Sequence, residues 1–153
     1  MDVCNTIAIH GSPESVYRFA AAVERWPELL PHYRAVEILE AGERERLVAM
    51  HCVRAFGPLG WPCRWRARQE LRPEIGVIYF THVAGPARGM EVEWCIEAAH
   101  EGAQATIRHR VSPDRPWWSD LYWRRVVGPI FVRPIAARTL QTIKQLVEDG
   151  ESE

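Results

Sequence analysis

Between residues 33 and 111 the chain alternates apolar and polar side chains with a period of two, and that pattern leaves few folds open. Residues 61–71 set Trp61, Cys63, Trp65, Ala67, Gln69 and Leu71 against Arg64, Arg66, Arg68 and Glu70. Residues 90–98 set Met90, Val92, Trp94, Ile96 and Ala98 against Glu91, Glu93 and Glu97, and residues 104–111 set Ala105, Ile107, His109 and Val111 against Thr106, Arg108 and Arg110. Residues 44–54 read the same way, with Leu47, Ala49, His51 and Val53 inward and Arg44, Arg46 and Arg54 outward. Residues 34–41 turn Val36 and Ile38 to one side, whereas 77–84 (VIYFTHVA) is apolar on both faces and its phase stays open. Side chains in a strand point alternately to opposite faces, so such text marks antiparallel strands with one covered and one wet face. Glycine-containing turns between the strands predict a meander. The interspersed arginines and glutamates predict cross-strand charge pairs on the wet face rather than an anion-binding surface.

Helical text brackets this sheet. Residues 3–10 read as a first strand. Gly11-Ser12-Pro13-Glu14 then opens a helix over 13–24, with Ser12 as its cap, Pro13 at its first position and Val16, Phe19, Ala20 and Val23 at helical spacing. Trp26-Pro27 to Pro31 allows a short second helix or turn. Residues 117–148 read as one long helix, with Val132, Ala136, Leu140, Ile143 and Val147 on one stripe. Gly128-Pro129 and Pro134 predict a kink or break in it: either a gate over 112–128 hinged at Val127 and Gly128, or a static kink that lets the helix follow the sheet's curvature. The order is β-α-α-β6-α, an α+β fold in which a seven-stranded curved antiparallel sheet wraps the long C-terminal helix. A curved sheet cannot touch one helix everywhere, so a cavity is expected between them. The 153 residues suit a single domain over 1–150, followed by a tail at 151–153.

Composition narrows the function. With a net charge of −1 no whole-protein field draws in nucleic acid or an anionic membrane. No apolar run is long enough to span a bilayer, and MDVCNTIAIHGS lacks the features of a signal peptide. The four cysteines, Cys4, Cys52, Cys63 and Cys95, are scattered without a CxxC, which suits reduced thiols in a cytoplasm. Nucleotide-binding glycine loops, a nucleophile elbow and zinc-ligand spacings are missing, so no metal or cofactor is expected.

The stretch NTIAIHGSPESVYRFAAAVERWPELLPHYRAVEILE resembles the start of the polyketide cyclase/dehydrase family of the START/Bet v 1-like (SRPBCC) superfamily. The matching features are the first strand, the Ser-Pro-Glu helix start, Trp26-Pro27, Pro31-x-Tyr33 and the Val-Glu-Ile-Leu strand. The similarity continues through Trp65 and Met90-x-Val92-x-Trp94 into the C-terminal helix. The resemblance implies a helix-grip fold around a cavity for a hydrophobic small molecule, lipid-, polyketide- or isoprenoid-like. Similar aromatase/cyclases carry a cavity arginine in the strand matching 61–71. Its position falls here on Gln69, which can donate to a carbonyl but carries no charge for an enolate.

The expected ligand-binding residues are Trp26, Tyr33, His51, Trp65, Gln69, Trp94 and His109. His109, His51 and Tyr33 are the catalytic candidates. His109 reads equally as a core histidine bonded to a backbone carbonyl, and Trp65 and Trp94 as part core and part wall. Three functions stay open: a carrier, a cyclase or dehydratase working by acid–base catalysis, and a membrane-touching lipid or quinone transfer protein. In the last, Trp117, Trp118, Trp123 and Phe131 with Arg124, Arg125 and Arg133 would dock on a bilayer. The same cluster reads as core or as a homodimer interface.

Overall fold

A computed structural model describes residues 1–111 and 116–151. Seven strands run β1 Asp2–Ile9, β2 Tyr33–Ala41, β3 Glu45–Phe56, β4 Leu59–Arg72, β5 Val77–Ala84, β6 Glu91–Ala99 and β7 Gly102–Arg110. They form one antiparallel sheet in the order β1-β7-β6-β5-β4-β3-β2. Register shifts at Tyr33/Ala35, Ile38/Glu40 and Arg66/Ala67 add bend and twist at the β2–β4 side.

Between β1 and β2 lie α1 Pro13–Ala21, a 3-10 turn and α2 Trp26–Leu29. Ser12 caps α1 by accepting from the Ser15 backbone N–H at 3.1 Å, and Val16 and Ala20 face the core. Gly76 closes the turn before β5 at φ 68, where an added Cβ would sit 2.3 Å from the Ile96 carbonyl, so only glycine fits.

The C-terminal helix does not break. α3 Trp117–Tyr122 runs into a π-helical stretch, Trp123–Val132, and then into α4 Arg133–Glu151. Pro129 lacks the N–H that an α-turn needs, and the wider π-turn absorbs the defect within a continuous helix. Gly128 is buried against β1: a Cβ there would meet the Met1 Sδ at 3.0 Å and the Trp123 carbonyl at 3.2 Å. Residues 112–115 of the expected gate lie outside the described residues, as do 152–153 of the tail.

α4 lies over the concave face, where Leu140 and Ile143 pack against a core containing Ile78, Ile96 and Ile107. The opposite, convex face carries exposed ion pairs such as Arg68–Glu45 at 3.0 Å and Arg108–Asp2 at 2.7 Å, each worth roughly 0.2–1 kcal/mol.

β3 corrects the expected phase. Its buried residues are Val48, Met50 and Cys52, so Leu47, Ala49, His51 and Val53 face the convex side. Arg46 and Arg54, expected outward, belong to the concave phase. Both sit near strand ends, where a long side chain reaches polar partners at the rim. Arg46 donates to the Ala21 carbonyl at 2.7 Å and pairs with Glu24 at 3.0 Å, and Arg54 donates to the Ile130 carbonyl at 2.8 Å. With apolar residues on both faces of β3, the arginines were the only phase marker, and they pointed the wrong way.

Candidate functional site

Between the concave face and the helix lies a cavity of about 400 Å³. Trp26, Tyr33, Trp65 and Trp94 form a connected aromatic wall on it. Trp26 meets Tyr33 edge-on at 4.8 Å and Trp94 at 5.9 Å, and Tyr33 meets Trp65 at 6.2 Å. The prolines around α2 hold Trp26 in a single turn. Its indole N–H donates to the Phe19 carbonyl at 2.9 Å, which satisfies its polar edge and leaves the ring free to pack. Thr139, Ala136, Ile135 and Phe131 close the helix side. The exposed part of the lining, Trp61 and Pro62 of β4 with Pro86 and Tyr122, marks its mouth.

Two imidazoles reach this space. His109 lies on β7 as the strand phase required, and burial, then the neighbouring His82, pushes its pKa down to about 3. His82, on β5, stacks on Trp65 at 5.5 Å with an interplanar angle of 16°, and burial pushes it down to about 4. Both are therefore neutral near pH 7. Each has a buried Nδ1 with no hydrogen-bond partner among the described residues. His82 was missed because 77–84 is apolar on both faces. Its phase follows from register: Ile78 opposes the inward Trp94, so Phe80 and His82 point inward too.

Tyr33 is fixed at the helix side. The Thr139 hydroxyl donates to the Ile135 carbonyl at 2.8 Å, so the His32 Nε2–H must donate to Thr139, also at 2.8 Å. The Tyr33 phenol lies beside this pair, and burial raises its pKa, so it stays protonated. His32, buried beside it, is pushed down to about 4 by burial and then by Arg138.

Two expected site residues lie elsewhere. His51 faces a shallow convex groove with Arg64, Arg66 and Glu37, where burial, then Arg64 and Arg34, lowers its pKa. It is excluded from the cavity by the phase of β3. Gln69 has the expected phase and is fully buried, yet it lies beyond the cavity under the end of α1. Its Oε1 accepts from the Arg46 Nε–H at 2.8 Å, and its Nε2 donates to the Ala21 carbonyl at 3.1 Å. It is a structural clamp there.

The aromatic segment divides. Trp123 is buried, while Trp117 is 79% and Trp118 63% exposed, and Arg124 pairs with Asp120 at 2.8 Å. Among the described residues no helix is long and apolar enough to cross a membrane, and no three His, Cys, Asp or Glu side chains are grouped to hold a metal ion.

The helix wrapped by this sheet, with an aromatic cavity between them, defines the START/Bet v 1-like class. A START superfamily protein from Mycobacterium smegmatis superposes with a TM-score of 0.68 at 13% identity, covering 97% of each chain. An aromatase/cyclase from Streptomyces sp. R1128 superposes with a TM-score of 0.70 at 22% identity, covering 95% of each. Within that class the chain belongs to the family described as polyketide cyclase / dehydrase and lipid transport, whose model matches residues 9–135. A granaticin polyketide synthase bifunctional cyclase/dehydratase of Streptomyces violaceoruber is 31% identical over 120 residues. That match covers 72% of this chain and 34% of the relative, so the chain corresponds to about a third of that protein.

Proposed function

We propose that the chain binds a polyketide-like molecule, mostly apolar but studded with oxygens, in the cavity and promotes its ring closure and loss of water. The observation that carries this reading is the pair of cavity-lining imidazoles, buried His82 and half-buried His109, whose buried Nδ1 atoms meet no partner among the described residues in a mostly aromatic and aliphatic cavity. A polar atom left unsatisfied in such a place costs roughly 1–3 kcal/mol, which a ligand's hydroxyl or carbonyl would recover.

Ring closure joins a carbon flanked by carbonyls to a second carbonyl carbon, and needs a proton removed at the first and delivered to the oxygen of the second. The aromatic wall would hold the chain folded, and the Tyr33 hydroxyl would orient a carbonyl. A neutral imidazole would take the proton and return it. A weak base in the empty cavity, it would be strengthened by the enolate it creates, because the pair of opposite charges offsets the burial that disfavours the imidazolium. Such proton transfer contributes roughly 10²–10⁴-fold.

The second reading is a carrier, favoured by those same low imidazole pKa values, about 4 and 3, which suit hydrogen bonding better than proton abstraction. One experiment separates the two. A synthetic poly-β-ketone thioester is incubated with the protein and with His109→Phe, and cyclised products are followed by mass spectrometry while tryptophan quenching reports binding. Faster cyclisation that His109→Phe lowers at least tenfold supports the enzyme. Binding without acceleration leaves the carrier.

A further inference from the structure

The ladder between β3 and β4 sets Cys52 directly opposite Cys63. Opposed residues in an antiparallel pair have Cα atoms about 4.5 or 5.5 Å apart. Both separations fall inside the ~4.4–6.8 Å that a disulfide spans. Both residues are in the concave phase, Cys52 fully buried and Cys63 half-buried on the cavity wall beside Trp61 and Pro62 at the mouth. Both sulfurs are free thiols, and the Cys63 Sγ–H points along its own strand to the Trp61 carbonyl at 3.8 Å. The other two cysteines have no such neighbour: Cys4 stands opposite Arg108, and Cys95 opposite Val77 and Thr106.

We propose that Cys52 and Cys63 form a dithiol site that a small hydroperoxide, entering through the cavity mouth, oxidises to a disulfide.

The two thiols divide the work. Cys63 is the half-buried sulfur on the cavity wall, where the neighbouring Cys52 and then the Arg54 guanidinium favour its thiolate, whereas Cys52 is fully buried, and its neighbour Cys63 and then burial hold it protonated. The Cys63 thiolate attacks one peroxide oxygen, the O–O bond breaks and hydroxide leaves, giving a sulfenic acid. Cys52 then attacks the Cys63 sulfur. The S–S bond forms, the S–O bond breaks, and the Cys52 proton leaves with the departing oxygen as water. Two thiols and one hydrogen peroxide become one disulfide and two waters, the sulfurs oxidised and the peroxide reduced. The cross-link is intrasheet, so it needs no rearrangement of the ladder. It lies on the cavity wall, so a molecule filling the mouth shields Cys63 and slows the reaction.

The test treats the reduced protein with limiting hydrogen peroxide, then counts thiols and maps trypsin peptides without reduction. Cleavage after Arg46, Arg54 and Arg64 puts Cys52 in 47–54 and Cys63 in 55–64, so the disulfide appears as one linked pair. The expected result is loss of two of the four thiols, recovered with dithiothreitol, with Cys4 and Cys95 unmodified. Cys52→Ser removes the second sulfur with little change in size, and dimedone should capture a sulfenic acid at Cys63 alone. Sulfinic acid at Cys63 in the parent without the linked pair, or oxidation spread evenly over all four cysteines, overturns the proposal. The parent's peptide map decides this even if the variant does not fold.

Discussion

The concave face carries buried polar groups at both ends, and they are treated in opposite ways. At the closed end under α1, both polar atoms of the Gln69 amide are engaged, one accepting from Arg46 and the other donating to the Ala21 carbonyl. At the open end, His82 and His109 keep Nδ1 atoms without partners among the described residues. Leaving a buried polar group unpaired weakens the fold, and His32 Nδ1, His51 Nε2 and Asn5 Oδ1 also lack partners among the described residues. Of these residues, His82 and His109 are the ones that line the cavity, which is the argument for a ligand at the open end.

Acid should strain the open end most. Buried His32 and His82 and half-buried His109 hold pKa values of about 4, 4 and 3 against an ordinary 6.5. Below pH 6.5 the unfolded chain takes up protons that the native state refuses until about pH 4 to 3. Stability is therefore fully present above 6.5 and lost as pH falls through that window. At pH 5 each histidine should contribute a loss of about 2 kcal/mol. Urea titrations at pH 7 and 5 measure it, and equal midpoints would contradict the burial of the imidazoles. Trp94→Ala removes the buried ring against Trp26, where the aromatic wall meets the core, and should cost about 3–5 kcal/mol while weakening binding. A melting midpoint equal to the parent's would deny it that double role.

Two substitutions set the ends against each other. Gln69→Ala strips Arg46 of an acceptor at the closed end and should cost about 1–3 kcal/mol with ligand affinity unchanged. His82→Phe removes an unpaired polar group while keeping the stack on Trp65. Its stability should stay within about 0.5 kcal/mol of the parent's, while affinity for an oxygenated aromatic probe falls. If Gln69→Ala lowered affinity and His82→Phe lowered stability, the roles would be reversed. The smallest effect is kinetic: amide exchange should be faster in 117–127, which borders the mouth, than in 135–148, packed through Leu140 and Ile143, and should slow there when the cavity is filled. Equal protection in both portions would mean that the helix moves as one body.

Most of the fold was legible because its periods are strong. β4, β6 and β7 alternate cleanly, and Trp65, Trp94 and His109 fall on the concave phase as expected. β3 and β5 were not legible alone, since apolar residues occupy both of their faces. That ambiguity put His51 on the wrong side and hid His82. Gln69 shows a different limit: its phase was correct, but phase says nothing about position along the strand, and the cavity ends before it. The kink or break expected at Pro129 rested on α-helical hydrogen bonding, and the π-turns take up the missing N–H in a way local sequence does not announce.

The sequence by itself determined the element order, the covered face of most strands, the family and the aromatic character of the cavity. These follow from side-chain periodicity and from residues close together in the chain. Tertiary structure alone decided which buried polar groups find partners. The Gln69 clamp joins β4 to β3 and α1, the Cys52–Cys63 contact depends on register, and His82 and His109 come together from strands separated by β6. The reason is that a hydrogen bond, or its absence, is settled by distances of a few tenths of an ångström between distant segments, and pattern along one strand carries no information about them.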